Sequence, residues 1–143
     1  MEAEAPLTEA LGRLERVLEA GHPQILTTTT NLALLKEQLG DLDAAQRLAE
    51  RAVEGTRSTF GARHPTTARA MGILAGILTT KGAFAEADAL QEEVLVILVE
   101  ALGPDHPTAA RALNERGKGL LLIGRLGEAE TGFRAALEVL RDR

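Results

Sequence analysis

Apolar residues along this chain fall at helical spacing almost throughout. In "TTTTNLALLKEQ" (27–38) and "TTARAMGILAGILTT" (66–80) they recur three and four residues apart rather than alternating, which predicts a helix in each stretch. "DAAQRLAERAVE" (43–54) and "EAETGFRAALEVL" (128–140) are longer amphipathic patterns rich in Ala, Leu, Glu and Arg, again helical. The run Thr27 to Thr30 favours strand by propensity. The stretches that overlap this register elsewhere read "ARAM" and "ARAL", good helix formers, so helix is predicted here too.

These patterns repeat. A His-Pro pair recurs at His22, His64 and His106, 42 residues apart, and so do Gly40, Gly82 and Gly124, and Ala45, Ala87 and Ala129. "HPTTARAM" and "HPTAARAL" share six residues of eight, and "EAEAPLTEAL" (2–11) lies three periods before "EAETGFRAAL" (128–137). A fixed period of this size marks stacked supersecondary units. Each unit splits into two helices. Proline sits at the first position of the first helix, where its missing N–H is harmless. Glycine falls between the helices, where a helix ends in left-handed conformation. A catalytic histidine is needed once, so three at identical turns read as punctuation that closes the turn. Small residues at Ala33, Ala75 and Gly117, and at Ala52, Val94 and Ala136, also follow the period and predict close helix crossings. Leu32, Leu74, Leu78 and Leu113 are expected to fill the grooves around them.

Composition narrows the reading further. Aromatics are 2% of 143 residues, with no Trp or Tyr, so the core is built from aliphatic residues and suits helices. There is no cysteine, which excludes disulfides, thiolate chemistry and Cys-ligated zinc. A net charge of −5 without a basic stripe argues against a nucleic-acid partner. The longest apolar run, "VLVILV" (94–99), is too short to cross a membrane, and "MEAEAPLTEA" lacks the pattern of a secretory signal. A soluble, cytoplasmic protein is expected. No phosphate-cradling loop, metal spacing or catalytic constellation is present, so no enzyme activity, cofactor or metal is expected.

The His-Pro turn, "NLA" at 31–33, Gly-x-apolar-x-x-Ala and the Ala-x-x-x-Leu of the second helix resemble tetratricopeptide repeats of the 42-residue kind, as in kinesin light chains and their bacterial relatives. The resemblance covers essentially the whole chain. It implies an all-α fold, helix-turn-helix repeats stacked in a right-handed superhelix, whose first helices line a concave groove that binds peptides or proteins. On that pattern an N-terminal second-type helix occupies 2–20, and three repeats occupy 22–61, 64–103 and 106–142. Carrying over the groove-facing places gives Thr27, Thr30, Asn31 and Leu34 in the first repeat. The second gives Arg69, flanked by Gly72 and Gly76, and the third gives Arg111, Asn114 and Lys118. Leu121 and Leu122 replace Glu37 and Gln38 of the first repeat, also in places that tend to face the groove. Arg69, Arg111 and Lys118 favour an acidic peptide partner. The carboxylate clamp of some tetratricopeptide domains is not reproduced, because Leu34 and Ile73 stand where it needs asparagines.

Other departures point to a second surface. Lys36 and Arg116 stand where such repeats carry tyrosine and leucine, and Arg116 is placed to pair with a glutamate of a neighbouring helix. Gly55 interrupts a second helix at about 1 kcal/mol relative to alanine. Val96, Leu98 and Val99 fall in a stretch whose counterpart, "AALEVL", keeps its polar face. Phe133, Leu137 and Leu140 lie on a last helix with no capping helix after it. Together these mark a self-association or partner patch, including homo-oligomer formation through uncapped ends. Three functions remain open on sequence alone: a peptide-binding scaffold, a self-associating structural module, or a regulatory segment of a larger signalling protein.

Overall fold

The structure, a computed structural model, describes residues 4–19 and 21–141. Among them are seven α-helices and no strand: α1 (Glu4–Val17), α2 (Pro23–Gln38), α3 (Leu42–Phe60), α4 (Pro65–Lys81), α5 (Phe84–Leu102), α6 (Pro107–Leu122) and α7 (Leu126–Arg141). The first helix ends at Val17, earlier than expected, and the expected bounds at 2, 20 and 142 lie outside the described residues.

The three histidines are N-caps. Each holds extended backbone (ψ 134°, 143° and 136°) immediately before the proline that opens α2, α4 or α6. In each, Nδ1 accepts a hydrogen bond from the backbone N–H two residues on: Gln24 at 3.2 Å, Thr66 at 3.0 Å and Thr108 at 3.1 Å. The imidazole thus does what a serine or aspartate does at other helix starts. The His64 ring also stacks on Phe60, centroids 5.0 Å apart. We expect His64→Ala to lower stability by about 1 kcal/mol and His64→Asn to restore most of it. Denaturant unfolding followed by circular dichroism reads both, and an unchanged midpoint for the alanine variant would refute the capping role.

Glycines with positive φ stand between helices, at Gly40, Gly82 and Gly124 within hairpins and at Gly61 and Gly103 between them. The latter two were not singled out by the repeat comparison. At Gly82 the backbone is left-handed (φ 88°, ψ 7°) and its N–H closes onto the last turn of α4.

Each helix packs on its neighbours in sequence, and α4 also touches α2 and α6, whereas α1, α3, α5 and α7 pack on those first helices rather than backbone to backbone on one another, with an ion pair from Arg51 of α3 to Glu15 of α1 reaching across. The first helices therefore form a continuous inner layer and the second helices a splayed outer one, an α-solenoid. The small residues sit at the crossings: Ala33, Ala75, Gly117, Ala45, Ala87, Ala129, Ala52, Val94 and Ala136 are all buried. A Cβ on Gly117 would lie 2.7 Å from the Phe133 ring, and one on Gly55 would lie 2.3 Å from Leu26 Cδ2. Gly55 does not interrupt α3, which runs unbroken to Phe60; it is the space into which Leu26 packs. Ile25, Met71, Ile77 and Ile97 are the large, fully buried side chains.

The threonine run is helical because its hydroxyls have an acceptor one turn back. Thr29 donates to the Ile25 carbonyl at 2.7 Å and Thr30 to that of Leu26 at 2.8 Å. Both can then be buried without an unsatisfied polar group.

Candidate functional site

The inner face follows from the packing of α4. With α2, α3, α5 and α6 around it, α4 leaves one stripe open, formed by Arg69, Gly72, Ile73, Gly76 and Thr80. The same register on α2 is Thr27, Asn31, Leu34 and Gln38, and on α6 it is Arg111, Asn114, Glu115, Lys118 and Leu122. Three helices side by side thus present one surface. Thr27, Arg69 and Arg111 form its first row, and Leu34, Gly76 and Lys118 a later one. Thr80 Oγ1 donates to Glu37 Oε1 at 3.4 Å across the row, and burial pushes the Glu37 carboxyl up from its ordinary value.

Among the expected groove residues, Thr27, Asn31, Arg69, Arg111 and Lys118 are exposed, and Leu34 and Asn114 are half-buried. Thr30 is a correction. It is 7% exposed and its hydroxyl is turned back onto the Leu26 carbonyl, so it offers nothing to a ligand. Lys118 is paired with Glu115 at 2.8 Å, whereas Arg69 and Arg111 have no ion-pair partner among the described residues. Leu121 and Leu122 are exposed, Leu122 to 63%.

Charged residues that leave the repeat pattern elsewhere are structural. Arg116 Nε donates to Asp88 Oδ1 at 2.7 Å and its other arm to Glu92 Oε1 at 2.7 Å, tying α6 to α5. The Asp88 carboxylate holds this guanidinium above the ordinary arginine value. Lys36 lies 3.9 Å from Asp41.

The second expected patch divides. Val96 and Val99 are exposed on the outer side, but Leu98 is buried with Val94 and Ile97 in the core, because it lies on the opposite side of α5. Phe133 is also a correction: it is half-buried with its ring against Gly117 of α6, not on an open edge. Leu137 and Leu140 do stand open. The position that Leu137 fills on α7 is filled by Leu11 on α1, 6% exposed, whereas Leu137 is 65% exposed. The difference is the following first helix, which covers Leu11 and has no counterpart beyond α7 among the described residues.

A family model described as "Tetratricopeptide repeat" matches the chain at residues 1–58, 24–98 and 66–142, overlapping segments that span it almost end to end. The chain belongs to the tetratricopeptide repeat family. Its fold is similar to two structures of a Podosopora anserina kinesin light chain with nearly identical TPR-like repeats. The first has TM-score 0.84 and 24% identity over 96% of this chain; the second has 0.82 and 23% over 99%. It is also similar to BtubC (BKLC) from P. vanneervenii, with TM-score 0.86 and 17% identity over 95% of this chain. This tetratricopeptide array spans 65% of the length of the first of these and 54% of the last. Among curated proteins no sequence matches.

Tetratricopeptide arrays are in general protein-interaction modules, typically non-catalytic. Among the described residues no group of three metal-ligating side chains comes together, and no helix is long and apolar enough to cross a membrane. Sequence reasoning missed the residues that join Val96 and Val99 on the outer side of the array, namely Ala109, Leu113 and Ala135. The signal was present in the repeat itself, since Ala135 stands where α3 has Arg51 and α5 has Glu93.

Proposed function

We propose that the chain is a non-catalytic scaffold of the cytoplasm that captures an extended, acidic segment of a partner protein along the inner face of α2, α4 and α6. The observation that carries this reading is the row of Thr27, Arg69 and Arg111. These are equivalent positions on three adjacent helices, all exposed, and the two arginines have no ion-pair partner among the described residues. A planar guanidinium offers a fixed fork to a carboxylate. Asn31 and Asn114 supply amides that donate and accept at once, as a peptide backbone requires. Leu34, Ile73, Leu121 and Leu122 give apolar ground between and beyond these polar groups, and Lys118, paired with Glu115, stands in a later row.

The test is selection from a random displayed-peptide library on the intact chain, followed by titration of the selected peptides. Enrichment of acidic peptides is expected, with affinity falling at least tenfold, about 1.4 kcal/mol, in Arg69→Glu/Arg111→Glu. Both residues are exposed, so the fold should be unaffected. Selected peptides that are not acidic, or that bind the double variant equally well, would refute the reading.

A further inference from the structure

The outer side of the array carries a second surface, independent of the inner face. Between α5 and α7, whose backbones stand apart, a crevice of about 610 Å³ opens onto α6. Ala109 and Leu113 of α6 form its floor; Leu95, Val96 and Val99 form one wall, and Ala135 and Val139 the other. The carboxylates of Glu100, Asp105 and Glu138 stand along it, and none of the residues that line it is basic.

Comparison of the chain with itself shows that this apolar lining is local. Val96 occupies the place of Glu54 and Glu138, Val99 that of Arg57 and Arg141, and Ala135 that of Arg51 and Glu93. Three positions that carry charge on sister helices are therefore apolar here, and all three converge on one crevice. Internal packing does not call for the two valines, since Val96 is 49% and Val99 39% exposed while Val94, Ile97 and Leu98 anchor α5. Helix propensity does not either, since valine is a weaker helix former than glutamate or arginine.

The shape and charge of the crevice define its occupant. A furrow between two helices, floored by a third, is the groove into which a further helix packs its apolar ridge. Aliphatic side chains seated there leave water, and the carboxylates then face the flanks of the incoming helix. Glu100 is already bridged by Arg63, whose Nε donates at 2.9 Å, so the open negative charge at the crevice is that of Glu138, which has no ion-pair partner among the described residues. We propose that this crevice docks a basic amphipathic helix of a partner protein, its aliphatic face on Val96, Val99, Leu113 and Ala135 and its lysines or arginines beside the acidic edge.

The probe is a labelled synthetic peptide of leucine and lysine in helical register, about 15 residues long, titrated into the intact chain by fluorescence anisotropy. A peptide of the same composition with scrambled register is the control. Binding of the first in preference to the second is expected, with at least a tenfold loss in Val96→Glu and again in Val99→Arg. Both substitutions install the residue that sister helices already carry, so folding should be retained, and circular dichroism checks it. Val96→Glu adds negative charge, so equal or tighter binding in that variant would show mere charge attraction and overturn the proposal, as would equal binding of the scrambled peptide. A light-scattering mass of two chains that Val96→Glu returns to one would also overturn it, making a second copy the occupant.

Discussion

Ile77→Ala is expected to lower the stability of the chain by about 3 kcal/mol, the largest single loss among the substitutions considered. Ile77 is fully buried in α4, the helix enclosed on four sides. A side chain lost at the end of the array leaves space that a terminal helix can close by shifting. Neither flank of α4 can move in without breaking its contacts with the next helix, so the cavity persists and its cost is near full. The repeat does not supply a substitute, since the equivalent positions hold the half-buried Leu35 and Gly119. Coupling across the middle of an array also carries its cooperativity, so the unfolding transition should broaden as the two ends separate. Urea unfolding followed by far-ultraviolet circular dichroism reads both effects in a chain without Trp or Tyr. A loss below about 1 kcal/mol would mean that the helices close over the gap.

The second large effect has the opposite sign. Gly72→Ala with Gly76→Ala should raise stability by about 2 kcal/mol, roughly 1 kcal/mol each. Both glycines lie inside α4, and neither has a positive φ. A Cβ at either would meet nothing within 4 Å. Alanine therefore gains helix propensity and reduces the freedom of the unfolded chain without a clash. Gly117 and Gly55 behave differently, because there the missing Cβ is occupied by Phe133 and Leu26. The open stripe of α4 thus has glycines at two places where packing does not require them, on the face along which the partner segment is proposed to lie. Thermal unfolding measures the stability, and titration of the peptides selected on the parent chain reads any effect of the added methyl groups on the inner face. If the double variant were less stable, α4 would be strained in a way that its geometry does not show.

Much of the fold was legible because its signals are local. His64 and Pro65 cap and open a helix with atoms two residues apart, and Gly82 ends that helix with its own N–H. The self-comparison then supplies the long-range order, since equivalent residues must pack alike. Sequence reasoning failed where the deciding partner lies outside the local pattern. Thr30 reads as a polar groove residue, but its hydroxyl is consumed by its own helix. Phe133 reads as an apolar edge, but the space for it is on another helix, at Gly117. Leu98 and Val99 are adjacent in an unbroken apolar run, yet one turns into the core and the other out to solvent. The outer crevice was least legible, because its two walls belong to helices whose backbones stand apart.

That separation has a mechanical meaning. The inner helices α2, α4 and α6 are in continuous contact, and the outer helices are joined mainly through them, with only surface ion pairs such as Arg51–Glu15 and Arg125–Asp88 reaching from one outer segment to the next. The array is therefore stiff along its inner side and compliant along its outer side, like a hinged strip with its spine on one face. Its softest deformation is bending about that spine, which changes the gaps between outer helices while the inner packing is preserved. Curvature and crevice width are one coordinate, so whatever wedges α5 from α7 also draws the two ends of the inner face together.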